Sequence, residues 1–165
     1  MNLPAWNIET EYPQLNSKEF AADESDVKKM IAQISLLTES VRPRLTEPTH
    51  DPSFVEALQK VLILSEEADI LLHNLQTYVQ CLENVDASNE EAKSKNSQIQ
   101  QLFSEKRQAL QRVQLLMSQC PDGIFETVMV KSELKGSRFH WEQQRSLRAG
   151  LLSEKEETLL SALTP

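Results

Sequence analysis

The sequence has little glycine, little cysteine and no long apolar run. Three glycines in 165 residues argue against a glycine-rich phosphate-binding loop. No stretch approaches the roughly 20 apolar residues that a membrane span requires, and the mean hydropathy is −0.44. The opening MNLPAWNIETEYPQL has neither a basic start nor an apolar run, so we expect no signal peptide.

Cysteine and basic residues are also scarce. Cys81 and Cys120 are expected to be buried, reduced thiols, as in most cytoplasmic proteins. The chain carries 17 basic and 25 acidic residues, a formal net charge of −8. This balance argues against non-specific binding to nucleic acid or to an anionic membrane surface. We therefore expect a cytoplasmic protein with no nucleic-acid partner and no membrane partner.

No catalytic motif is present in the sequence. A zinc helix requires His-Glu-x-x-His, whereas His140 is followed by Trp141-Glu142-Gln143-Gln144. Asp69 and His73 could share a helix face with Glu66, but a metal would need a further ligand from elsewhere, which favours a solvated face. No Ser or Cys has a base in a recognisable motif. The sequence predicts no catalytic residue, no metal ligand and no cofactor in this chain.

The longest regular pattern runs from Phe54 to Leu82. Its apolar positions recur at alternating steps of four and three, and only Ser65 interrupts them. This spacing is typical of a helix that packs along other helices. Asp51 as N-cap and Pro52 at the first helical position favour a helix start there.

Further amphipathic segments surround this helix, and no alternating strand pattern competes with them. Ser17 is predicted to cap a helix that ends near Val41. A third helix should begin at Ser88, which has capping-box spacing to Glu91, and its polar first half is expected to project into solvent or against a missing partner. This third helix is predicted over 88–120, and later helical segments over 124–134, 138–148 and 153–163. The predicted fold is an all-α antiparallel bundle of five to six helices, including two long ones.

The first 16 residues differ from the rest of the chain. Pro4 and Pro13 disfavour helix, so 1–16 should form an extended arm that carries Trp6 and Tyr12. Residues 17–165 are predicted to form a single helical domain. Two interpretations of the aromatic arm stay open: packing against the chain's own helices, or docking onto another domain.

Several segments resemble a known family when taken in order. They are Trp6–Pro13, Leu75–Cys81, the acidic turn Glu83–Asp86, Phe139–Trp141 and Leu151–Leu160. Together they resemble the N-terminal helical domain of oligoendopeptidase F, one of the thimet-oligopeptidase-like zinc metallopeptidases. The resemblance covers nearly the whole chain.

The resemblance implies a cytoplasmic enzyme that cleaves short peptides in a channel walled by helices. In that family the zinc and the His-Glu-x-x-His motif belong to a later catalytic domain, so no catalytic or metal residue is carried over to this chain. The expected partners are the missing C-terminal catalytic domain and, through the parent enzyme, short peptides. The chain is expected to be an excised N-terminal domain rather than a relative that has lost its peptidase half.

A docking surface for the catalytic domain is predicted from the aromatic arm and the Phe139–Trp141 region. The candidate docking residues are Trp6, Tyr12, Tyr78, Phe139, Trp141 and Arg145. The alternative is a stand-alone helical adaptor or scaffold, in which the Phe54–Leu82 stripe pairs between chains. A third alternative, a self-contained enzyme, would require turnover by the purified 165 residues.

Overall fold

The computed structural model describes residues 11–46 and 52–146, and all of their regular structure is helical. This confirms the all-α class. The predicted helix over 153–163 lies outside the described residues. The elements in chain order are α1 (Lys18–Val41), a 3-10 helix (Arg42–Thr46), α2 (Pro52–Val85), α3 (Glu90–Gln119), α4 (Asp122–Met129), a second 3-10 helix (Ser132–Leu134) and α5 (Arg138–Ser146).

Helix α2 lies at the centre of the bundle. Its 34 residues make a rod of about 51 Å, and it contacts α1, α3, α4 and the second 3-10 helix. The predicted stripe is buried from Phe54 to Val79. Ser65 is buried within it and donates its hydroxyl to the carbonyl of Val61 at 2.8 Å. The one polar break in the stripe therefore leaves no unpaired hydroxyl.

Side-chain pairs show the relative directions of the long helices. Glu24 pairs with Lys95 and Glu39 with Arg112, so residue numbers rise together along α1 and α3. Along α2 and α3 they run oppositely, because Glu83 accepts a hydrogen bond from Asn96 while Asp69 pairs with Lys106. Helix α2 is thus antiparallel to α3. Because α1 runs in the same direction as α3, α2 is also antiparallel to α1, as expected for the predicted bundle.

Two helix starts agree with their predicted signals, and one does not. Ser17 caps α1 by accepting the Phe20 backbone N–H at 3.1 Å. Pro52 is the first residue of α2, and Asp51, its predicted N-cap, lies outside the described residues. The prediction of Ser88 as the cap of α3 is wrong, because Asn89 accepts the Ala92 N–H at 3.0 Å. The Ser88 backbone N–H and hydroxyl instead donate to the carboxylate of Asp86. This local turn competes with capping, and asparagine caps a helix as well as serine does.

The polar first half of α3 packs against the bundle, contrary to the expectation that it projects away. Ala92 and Ile99 are buried there. Lys95 reaches Glu24 of α1 at 2.8 Å, and Asn96 donates to Glu83 of α2 at 2.9 Å. Polar side chains therefore form most of this contact around two buried apolar residues, Ala92 and Ile99, which is why the apolar periodicity of this half of α3 is weak.

The segment predicted as one helix over 124–134 is divided. Helix α4 ends at Met129, and a 3-10 turn over Ser132–Leu134 follows. The turn packs against α2 and buries Leu134 completely. Phe125, Val128 and Met129 of α4 are buried as well, so this segment contributes to the core in two short pieces.

Candidate docking residues

The described part of the arm lies against the helices of the chain itself. Residues 11–16 form turns rather than helix, and Trp6 lies outside the described residues. Tyr12 is only 3% exposed. Its ring meets Phe20 and Tyr78 edge-on, at centroid separations of 5.2 and 5.1 Å. Two of the candidate docking residues, Tyr12 of the arm and Tyr78 of α2, therefore form one buried aromatic cluster with Phe20 of α1.

A hydrogen bond fixes the Tyr12 hydroxyl. It donates to Oδ2 of Asp23 at 2.6 Å. Burial, followed by the hydrogen bond and the negative charge of Asp23, raises the pKa of Tyr12 well above its usual range. The phenol is therefore held in its neutral form, and Tyr12 contributes to the fold through both its ring and its hydroxyl.

A charged group adjoins the aromatic cluster. The buried carboxylate of Glu24 accepts hydrogen bonds from Lys28 and Lys95, and the Lys95 ammonium lies 5.7 Å from the centre of the Phe20 ring. Burial tends to raise the pKa of Glu24, but the two lysine hydrogen bonds outweigh it, so the pKa lies below its usual value. Ionised Glu24 thus ties the start of α1 to the polar half of α3.

Two further candidates, Trp141 and Arg145, join α5 to the rest of the bundle. Trp141 is 4% exposed and belongs to the core. The Arg145 guanidinium donates to the carbonyls of Met117 at 2.7 Å and Cys120 at 2.6 Å. It also lies 4.5 Å from the centre of the Phe125 ring. Met117 lies in the last turn of α3 and Cys120 directly follows the helix, so Arg145 caps the C-terminal end of α3.

Phe139 is placed differently from the other described candidates. It lies on α5 and is 75% exposed. Since Trp141 is buried two positions later, Phe139 points away from the core on the opposite side of the same short helix. Beside it, Arg138 pairs with Glu126 of α4 and with Glu142 of α5. Phe139 is therefore an exposed aromatic residue on a helix that several contacts hold in place.

The docking role of the six candidates stays a prediction. The described candidates differ in how much surface they expose to a partner. Tyr12, Tyr78 and Trp141 are buried within the chain and present little surface. Sequence reasoning missed four other exposed apolar residues: Leu36, Ile70, Val85 and Val130. Leu36 and Ile70 could have been found, since both fall outside the apolar stripes of their helices.

No metal-binding cluster is evident in the described part of the chain. No three of its His, Cys, Asp and Glu side chains are grouped so that they could hold a metal ion. On the face predicted to be solvated, His73 is exposed and contacts the carbonyl of Asp69, whose carboxylate pairs with Lys106. His140 is also exposed and stands edge-on to Trp141. None of the described helices has the length and apolar character needed to cross a membrane.

Comparison with known proteins identifies no relative. No family model, curated protein sequence or solved structure matches the chain.

Proposed function

We propose that this chain is the non-catalytic N-terminal helical domain of a zinc-dependent oligoendopeptidase, where it helps to wall the channel that admits short peptides. Its partner would be the C-terminal catalytic domain, which would bind the zinc. The observation that carries the proposal is the order of the resembling segments, from Trp6–Pro13 through Leu75–Cys81 to Leu151–Leu160.

The packing of α2 supports this proposal over a scaffold that pairs through the same helix. A seam between chains would need an apolar stripe on the surface. Phe54, Leu72 and Val79, which span the stripe, are each fully buried by helices of the same chain. A scaffold that used this stripe would have to open its own core.

Phe139 is the candidate that we place at the interface with the catalytic domain. Aromatic residues, including phenylalanine, are enriched at protein interfaces, and side chains that fill a pocket of the partner tend to dominate the binding energy. Phe139 is exposed, and the burial of Trp141 and the hydrogen bonds of Arg145 fix the helix that carries it. Binding through it would require little ordering of the backbone, which lowers the entropic cost of association.

A binding measurement tests the proposal. The purified chain is titrated by calorimetry into the catalytic domain of an oligoendopeptidase F, prepared without its own helical N-terminal domain. We expect association, and we expect Phe139→Ser to raise the Kd by about tenfold or more. Leu36→Ser is the matched control, since Leu36 on α1 is 72% exposed and should leave the Kd within about twofold.

The same experiment separates the alternatives. Absence of binding by the unmodified chain would contradict the proposal, and equal weakening by both variants would remove Phe139 from the interface. Sedimentation of the chain alone should show a monomer. A helical dimer whose population grows with concentration would instead favour the scaffold.

A further inference from the structure

We draw no further inference here: the strongest candidate, the groove between α1 and α3 beside Ile31, Ala109 and Arg112, is an unpartnered face, and nothing in the structure shows what covers it.

Discussion

Replacing Arg145 by alanine should destabilise the fold by about 3 kcal/mol. The side chain is 11% exposed and makes three kinds of contact: hydrogen bonds to two carbonyls at the end of α3, an ion pair with Asp122, and a cation–π contact with Phe125. These contacts join α5 to the junction of α3 and α4. Their loss should therefore reduce stability, whatever role α5 has in binding a partner.

The contacts of Arg145 contribute unequally to the free energy of unfolding. Hydrogen bonds from a charged donor are each worth about 1.5–3 kcal/mol, and the two share one guanidinium nitrogen, so they should not add fully. The contact with Phe125 adds about 0.5–1 kcal/mol. Asp122 is 94% exposed, so its ion pair should contribute little. The carbonyl hydrogen bonds thus account for most of the expected loss.

Urea unfolding followed by circular dichroism measures this loss. Arg145→Ala should lower the free energy of unfolding by about 2–4 kcal/mol, which corresponds to a melting temperature lower by roughly 4–16 °C. Asp122→Asn is the control and should change stability by less than about 0.5 kcal/mol. The reasoning is refuted if Arg145→Ala changes stability no more than Asp122→Asn, or if Asp122→Asn is equally damaging.

Two further predictions concern polar groups in the core. Tyr12→Phe should cost about 1 kcal/mol, because it removes the hydrogen bond to Asp23 and keeps the ring. Because the pKa of Tyr12 is raised in the folded state, its contribution to stability is complete below the unfolded pKa of about 10 and declines as the pH rises above it. Urea unfolding at a series of pH values from about 8 to about 11 should therefore show a smaller loss of stability in Tyr12→Phe than in the unmodified chain. Identical slopes of stability against pH would contradict this. Lys106 is buried and pairs with the half-exposed Asp69. Asp69→Ala leaves the buried ammonium unpaired and should lower stability by about 1–3 kcal/mol. Lys106→Met removes the charge itself and should lower stability by less than about 1 kcal/mol. The reverse ranking in urea unfolding would refute this assignment.

The central helix was predictable because its signals are local. The four-and-three spacing from Phe54 to Leu82 places one side of α2 in the core whatever covers it, and Pro52 fits the start of a helix. The Ser17 cap follows equally from short-range hydrogen bonding. At the start of α3, however, Ser88 and Asn89 are adjacent cap formers, and only the capture of Ser88 by Asp86 decides between them.

Long-range polar contacts were not predictable from the sequence. Glu24 and Lys95 are 71 positions apart, and Arg145 reaches carbonyls 25 and 28 positions earlier. Such pairs produce no periodicity, so the first half of α3 resembles a solvated helix in the sequence. The aromatic residues of the candidate site were identifiable by type alone. For the two aromatic residues of α5, burial of Trp141 and exposure of Phe139 depend on how far this helix is rotated against α3.

Sequencing the reading frame beyond the codon for Pro165 tests the central claim most directly. If this chain is the helical domain of a zinc oligoendopeptidase, the frame continues into a region that encodes His-Glu-x-x-His, followed by a further glutamate on a later helix. A stop codon immediately after Pro165 would contradict that account and favour a free-standing helical protein.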